Sequence, residues 1–225
     1  MNYTYLLINA LLLLVPVLLL FSRQLNFSGN GKFIFLALFI NVFVFSVPTE
    51  FLTRVKVIDF NPVYLTGIQL WELPIEELLF SLTLPFCGFA VYIFLNNRFP
   101  DNNLEKYSLS LSNILMGICV AILCFGYHNL YTLITFSLML VFTLYVEYVN
   151  KIRFMYRFYR AYLVSLIPFY LFSGILNTLP VIQYNEKETL MFNVLRIPFE
   201  SQFYYMAMLL LTIYLFETFK SRSFK

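Results

Sequence analysis

Leu73-Pro74-Ile75-Glu76-Glu77 opens a stretch of the chain that is apolar enough, and long enough, to cross a lipid bilayer as a helix. A similar segment, Ile197-Pro198-Phe199-Glu200-Ser201, opens the last apolar stretch 124 residues later. Carboxylates at the edge of hydrocarbon are costly unless they lie at a helix end, are paired, or take part in chemistry. The two segments therefore indicate an internal repeat and mark a candidate site.

The composition of the chain is that of an integral membrane protein. Of its 225 residues, 60% are hydrophobic and only 12% are charged, whereas average soluble domains carry about twice that charge. The first apolar stretch lacks a charged leading region and a small-residue cleavage site, so we interpret it as a retained span rather than a signal peptide. The net charge of +3 is too small to indicate a nucleic-acid partner.

Seven apolar stretches approach the roughly 20 residues that a membrane-spanning helix needs, and charged residues cluster between them. They predict an all-α, polytopic membrane protein with seven transmembrane helices. The break between the fourth and fifth stretches is marked only by Gly126, His128 and Asn129. The predicted spans are 3–21, 32–49, 74–95, 108–127, 129–149, 161–178 and 198–219.

An offset of 124 residues places the first three spans on the last three, and the fourth span has no counterpart. We therefore expect a first repeat over 1–100, a linker helix over 101–127 and a second repeat over 128–225. The offset also aligns three positions around the motifs: Asn61 with Asn185, Pro74 with Pro198, and Glu76 with Glu200.

Three spans per repeat with one linker helix between them predict two parallel repeats, related by an axis along the membrane normal. Both acidic motifs then lie on the same side of the membrane and can face one cavity. Lys and Arg favour the cytoplasmic side. Because four of them lie on the side of the N-terminus and eleven on the opposite side, we expect the N-terminus outside and the C-terminus in the cytoplasm.

Two interpretations of the acidic motifs stay open at this point. Pro74 suits the start of a helix, and Glu76 and Glu77 then lie in the first turn, where the helix dipole stabilises negative charge. Alternatively, they are general acids, because burial in hydrocarbon favours the protonated form of a carboxyl group. Such a group beside an apolar cavity can deliver a proton to a lipid-soluble substrate. Since successive helical residues point about 100° apart, Glu76 and Glu77 cannot both face the same point.

Other residue types predict little further chemistry. Asn61 and Asn185 are expected to cap or close the loops that precede the two motifs. His128 is the only histidine, and the three cysteines have no metal-binding spacing, so no metal site is predicted. No Gly-rich dinucleotide fingerprint is present, and we expect no cofactor.

With these residues identified, the chain resembles the lycopene cyclase domain proteins, the membrane-embedded type of bacterial carotenoid β-cyclase. In that family each of two related domains carries a Pro-x-Glu-(Glu/Asp) motif at a helix start, and Pro74-Ile75-Glu76-Glu77 matches it fully. The opening Tyr3-Thr4-Tyr5-Leu6 and the segment Phe60-Asn61-Pro62 are also similar to the family's first domain. The resemblance covers nearly the whole chain.

The resemblance implies a lycopene β-cyclase of the bacterial cytoplasmic membrane. A proton adds to the terminal alkene of lycopene, the cation closes a six-membered ring, and loss of another proton leaves a β-ionone end group, giving γ-carotene and then β-carotene. The class is an intramolecular lyase or isomerase without redox chemistry. The implied acids are Glu76 and Glu200, with Glu77 as a partner or second acid.

The resemblance also implies partners and leaves one question open. The partners are a lipid-soluble carotenoid, membrane lipid, and either a second copy of the chain or other carotenoid enzymes. Ser201 stands where the family has an acid, and serine cannot supply a carboxyl proton. Either the second acid is dispensable, or the chain closes one ring per substrate.

Three other classes of protein compete with the cyclase. Parallel three-helix repeats also occur in small membrane transporters, although here the acids lie at one edge of the spans. A retinal-binding receptor would need a lysine inside the last span, whereas Lys220 follows its end. A carotenoid-binding subunit without turnover would accommodate Ser201.

Overall fold

Seven α-helices form the chain in this computed structural model, which describes residues 3–21, 31–100, 105–150 and 152–223. The seven-helix count and the all-α class predicted from the sequence are confirmed. The helices are α1 (Thr4–Phe21), α2 (Gly31–Arg54), α3 (Ile75–Arg98), α4 (Ser108–Gly126), α5 (Leu130–Leu144), α6 (Met155–Thr178) and α7 (Phe199–Ser223).

Five of these helical segments are long and apolar enough to cross a membrane: Gly31–Arg54, Ile75–Arg98, Glu105–Gly126, Leu130–Val149 and Met155–Thr178. Helix α1 offers a shorter apolar stretch, Thr4–Leu19. Helix α7 has an apolar centre over 203–216 that lies between Gln202 and Glu217. Membrane crossing by α1 and α7 therefore stays a prediction.

Several helix ends lie outside the predicted bounds. Helix α2 continues past Pro48 to Arg54, because a proline removes only its own N–H from the helical ladder, which leaves only the Val44 carbonyl without its helical donor. Helix α6 begins at Met155, six residues before the predicted span, and so includes Arg157 and Arg160. Helix α5 ends in a π-helical turn, Tyr145–Val149.

Short strands lie between the helices on the side of the acidic motifs. Two-residue hairpins precede α3 and α7: β2 (Gln69–Leu70) pairs with β3 (Leu73–Pro74), and β5 (Asn193–Val194) pairs with β6 (Ile197–Pro198). Each hairpin therefore delivers its motif directly into the first turn of the helix that follows.

The two halves of the chain meet through a reciprocal ladder of strands β1 (Ile58–Phe60) and β4 (Ile182–Tyr184). Their antiparallel register pairs Ile58 with Tyr184 and Phe60 with Ile182. The central pair, Asp59 and Gln183, joins positions that are 124 residues apart. The contacts on either side of it are thus equivalent, as in a two-fold symmetric interface.

Most elements of the first half recur in the second at the predicted offset. The bounds of α2 and α6, of β1 and β4, and of both hairpins differ by 124. Helices α1 and α5 differ by 126 at their starts, so α6 begins 25 residues after the start of α5, whereas α2 begins 27 residues after the start of α1. The parallel orientation of the repeats in a membrane stays a prediction.

Helices α3 and α7 form the centre of the bundle. Helix α3 packs against α1, α2 and α6, and α7 packs against α5 and α2. They also contact each other, with the Phe89 and Phe216 rings 4.8 Å apart and the Tyr92 hydroxyl donating to Glu217 at 2.7 Å. Helix α4 packs mainly against α5. The ends of α3 and α7 that carry the motifs are therefore surrounded by both halves.

Candidate active site

Glu76 and Glu200 hold the loops that precede their own helices. Each is fully buried. Glu76 Oε1 accepts a hydrogen bond from the Thr66 N–H at 2.6 Å, and Glu200 Oε1 accepts one from the Leu190 N–H at 2.6 Å. Thr66 and Leu190 are themselves 124 residues apart. The first acid of each motif thus has the same partner in both halves.

The surroundings of these two carboxyl groups differ in detail. Glu200 Oε1 also accepts from the Thr132 hydroxyl at 2.8 Å. Near Glu76, the Asn9 side chain instead donates to the backbone carbonyl of Glu76 at 3.0 Å. The second oxygen of each carboxyl, Oε2, is buried without a hydrogen-bond partner among the described residues. One oxygen of each carboxyl group is therefore hydrogen-bonded to a loop, and neither group points into open water.

The next position of each motif has a different environment. Glu77 Oε2 accepts a hydrogen bond from the Tyr5 hydroxyl at 2.5 Å. The Ser201 hydroxyl lies 2.9 Å from the Tyr131 hydroxyl. Tyr5 and Tyr131 stand at equivalent places on α1 and α5, given the offset of 126 between these helices. Each half therefore presents a tyrosine that is hydrogen-bonded to the residue after its buried glutamate.

Glu77 and Ser201 line a single cavity of about 60 Å³ between the two halves. Its walls are built from both repeats in matched positions, which supports the shared cavity expected from the sequence. Six pairs of lining residues are 124 residues apart: Thr49 with Ser173, Ile58 with Ile182, Glu77 with Ser201, Phe80 with Tyr204, Ser81 with Tyr205, and Leu84 with Met208.

Aromatic rings surround the cavity near Glu77. Tyr131 lies between Tyr184 and Tyr204, with ring centroids 5.3 Å and 6.3 Å away. On the α6 side, the Phe169 and Tyr205 rings stack at 5.1 Å. Burial raises the pKa of the Tyr184 phenol to about 12, and the nearby Glu77 carboxyl adds to the rise. These rings give the cavity a mostly apolar wall with π faces.

The prolines and asparagines that the sequence singles out lie in the loops, whereas Ser201 lies in the cavity wall. Pro74 and Pro198 lie one residue before α3 and α7, in the hairpins, and not in the first helical turn as predicted. In an antiparallel hairpin only alternate residues donate to the partner strand. Here Ile75 and Phe199 donate to the carbonyls of Ile68 and Phe192, so the prolines before them cost no hydrogen bond between the strands.

Asn61 and Asn185 cap short 3₁₀ turns in these loops. Asn61 accepts from the Val63 N–H at 3.1 Å, and Asn185 accepts from the Lys187 N–H at 3.2 Å. The backbone N–H of Asn61 bonds to Val181 in the opposite half. Both asparagines therefore close the loops over the motifs, and their contribution to any reaction stays a prediction.

Comparison with known proteins gives the same assignment as the motifs. The profile of a protein family described as Lycopene cyclase matches residues 2–95 and 128–219. The chain belongs to the lycopene cyclase family. No curated protein and no solved structure matches the chain. Family membership makes it a cyclase-type enzyme of carotenoid biosynthesis, and the unmatched residues 96–127 contain α4, which has no counterpart in the repeat.

The sequence did not indicate Tyr5 and Tyr131 as part of this cyclase family site. Tyr5 stands out only within the opening segment that the family shares, and an offset of 124 aligns Tyr131 with Leu7 rather than with Tyr5. An offset of 126 for the first helix of each repeat would have aligned the two tyrosines. Tyr204 aligns with Phe80 at the offset of 124, but a tyrosine on an apolar helix usually belongs to the packed core.

Proposed function

We propose that this family member is a lycopene β-cyclase in which Glu77 supplies the proton that starts ring closure. One observation carries the proposal. Of the described residues that line the cavity between the two halves, Glu77 alone has a carboxyl group. The family match supports a cyclisation, and acid-catalysed cyclisation needs a proton donor in contact with a water-poor space.

The proposed reaction balances without an oxidant or reductant. The Glu77 carboxylic acid gives its proton to the terminal alkene of lycopene, which leaves a tertiary carbocation. The neighbouring alkene attacks that cation, so one carbon–carbon bond forms and the six-membered ring closes. Loss of the proton on the ring carbon that formed the new bond, next to the cation, gives the β-ionone double bond, and the Glu77 carboxylate is a suitable acceptor. The product is an isomer of the substrate, and no cofactor is proposed.

Three features of the site support this mechanism. The Tyr5 hydroxyl donates to Glu77 Oε2, so Tyr5 holds the carboxyl in place and stabilises the carboxylate left after proton transfer. The π faces of Tyr131, Tyr184 and Tyr204 lie around the cavity, and aromatic faces attract cations. A cavity of about 60 Å³ admits only a few water molecules that could compete for the carbocation.

Glu76 and Glu200 receive a different role in this proposal. Their Oε1 atoms accept loop N–H groups, so we propose that they position the hairpins and with them Glu77 and Ser201. The resemblance implies Glu76 and Glu200 as the acids, and that role stays an untested alternative. Glutamine variants distinguish the positioning role from the acid role, because glutamine keeps the accepting oxygen and loses the transferable proton.

The proposed setting is the bacterial cytoplasmic membrane, with the N-terminus outside and the C-terminus in the cytoplasm. The bias of Lys and Arg towards the ends opposite the motifs supports this orientation. Membrane lipid surrounds the helices, and a second copy or another carotenoid enzyme is the proposed protein partner. Reporter fusions at both termini test the orientation.

The test is pigment analysis in a bacterium that produces lycopene. Expression of the wild-type chain should convert lycopene into carotenoids with β rings. Glu77→Gln should abolish conversion, while Ser201→Ala, at the matched position of the other half, should retain most of it. Tyr5→Phe should slow conversion without abolishing it. Immunoblots of membrane fractions control for expression. Full conversion by Glu77→Gln would refute the assignment of the acid.

A further inference from the structure

We propose that the groove between α1 and α2 binds a transmembrane helix of a second polypeptide, in the way that α4 covers the equivalent surface of the other half. The inference concerns an interaction surface and does not rest on the proposed reaction. The internal repeat supplies the comparison, because each residue of this groove has a counterpart on α5, α6 or α7. The offset is 126 for α1 and 124 for α2 and α3.

The groove lies in front of α3 in the first half. Helices α1 and α2 both pack against α3, and the space between them measures about 380 Å³. Phe35 is 71% exposed and Leu13 is 36% exposed, so nothing in the described part of the chain covers the rim. The walls are wholly apolar and consist of Leu13, Gly31, Ile34, Phe35, Leu38, Leu82 and Phe86.

The equivalent surface of the second half is covered by α4. Met139, the counterpart of Leu13, is fully buried, and Tyr159, the counterpart of Phe35, is only 7% exposed. Helix α4 packs against α5 and reaches α6, where the Ser112 and Tyr159 hydroxyls lie 2.7 Å apart. One half of the protein thus shows which kind of element covers this surface. The other counterparts are buried as well: Met155, Phe158, Tyr162, Met206 and Leu210.

The lining determines the chemistry of the helix that fits. Ser112 of α4 is hydrogen-bonded to Tyr159, whereas Phe35 has no hydroxyl at that place, so a helix in the first groove needs no polar partner there. Helices associate in a bilayer through close packing, often at small residues, because lipid tails are as apolar as side chains. We therefore expect an uncharged, apolar face that includes small residues. The buried face of α4 has this composition: Ser112, Leu115, Met116, Cys119 and Gly126.

Binding of a labelled α4 peptide to the full chain tests the inference. The probe is a synthetic peptide of residues 105–127 with its two cysteines replaced by alanine, and the chain is held in phospholipid nanodiscs. Trp71 is the only tryptophan of the chain, so it serves as the donor of energy transfer to a dansyl group on the peptide. A Cβ atom on Gly126 would lie 3.3 Å from Leu190, whose counterpart, Thr66, lies close to Trp71 along the chain.

Energy transfer should therefore be strong to a dansyl group at the C-terminus of the peptide. Transfer to a dansyl group at the N-terminus should be weak, because the two ends of such a helix are about 35 Å apart. A peptide of the same composition in scrambled order is the control, and it should bind at least about tenfold more weakly. Equal binding of the two peptides, equal transfer to both ends, or no binding would overturn the inference and leave lipid tails as the occupant.

Two matched variants locate the bound peptide. Leu13→Phe adds bulk inside the groove and should weaken binding at least about fivefold. Leu14→Phe adds the same bulk at an exposed neighbour that does not line the groove, and it should leave binding unchanged. If the peptide instead displaced α4 from the second half, both variants would bind it equally, and the inference would be wrong. Since binding needs no carotenoid and no turnover, absence of ring-bearing pigments counts against the proposed function alone.

Discussion

Replacement of Glu200 separates a positioning role from an acid role at the first position of the motif. Its Oε1 accepts from the Leu190 N–H and the Thr132 hydroxyl. Glu200→Leu leaves both donors without this acceptor, and a buried unpaired donor costs about 1–3 kcal/mol. The expected loss in free energy of unfolding is therefore about 2–6 kcal/mol. Glu76→Leu removes the acceptor of one donor, the Thr66 N–H, so about 1–3 kcal/mol is expected.

The assay is unfolding of the purified proteins in one mild detergent, followed by circular dichroism against a graded denaturant. Glu200→Gln and Glu76→Gln keep a carbonyl oxygen at the same place, so each should change the free energy of unfolding by less than about 1 kcal/mol. Both glutamine variants should still convert lycopene. If Glu200→Gln unfolds like the wild type but forms no ring-bearing product, the carboxyl proton of Glu200 is required and our assignment of roles is wrong.

Two further predictions concern packing and pH. A Cβ atom on Gly88 would lie 2.4 Å from the Tyr205 hydroxyl, so Gly88→Ala should destabilise the fold by about 1–3 kcal/mol. Gly117→Ala is the control, because a Cβ atom there would have nothing within 4 Å. Thermal unfolding in detergent compares the two variants, and equal unfolding midpoints would contradict the prediction. Because burial raises the pKa of Tyr184 to about 12, its neutral form stabilises the fold below its ordinary pKa near 10, and this contribution is lost as the pH rises towards 12. Tyr184→Phe should reduce the fall in the free energy of unfolding between about pH 10 and pH 12. The same fall in the variant as in the wild type would contradict this prediction.

The sequence predicted the spacing of the repeat, since this depends only on positions along the chain. The offset of 124 between Pro74 and Pro198 holds in the structure for the hairpins and for α2 and α6. Hydrophobic stretches were enough to count seven helices. Their ends were less accurate, because tolerance of Pro48 inside α2 depends on neighbouring groups that only the folded chain brings together.

The direction of each acid could not be read from the sequence. Neighbouring helical residues differ by about 100°, so the sequence implied that Glu76 and Glu77 diverge. Which of them faces the other half depends on how α3 is rotated, and packing against α1 and α6 sets that rotation. The contribution of Tyr131 was hidden for a similar reason, because the distance from the start of the first helix to the start of the second differs by two residues between the repeats.

The β1–β4 ladder affects how the chain avoids pairing with its neighbours during synthesis. Until the ribosome has released the second half, Ile58–Phe60 is an open strand edge, and such edges pair readily with other chains. In the same register, two nascent first halves would place Asp59 opposite Asp59, and like charges directly opposite are destabilising. The intramolecular partner is the uncharged Gln183. A single carboxylate at the symmetry point thus disfavours pairing of β1 with the β1 strand of another chain, relative to its pairing with β4.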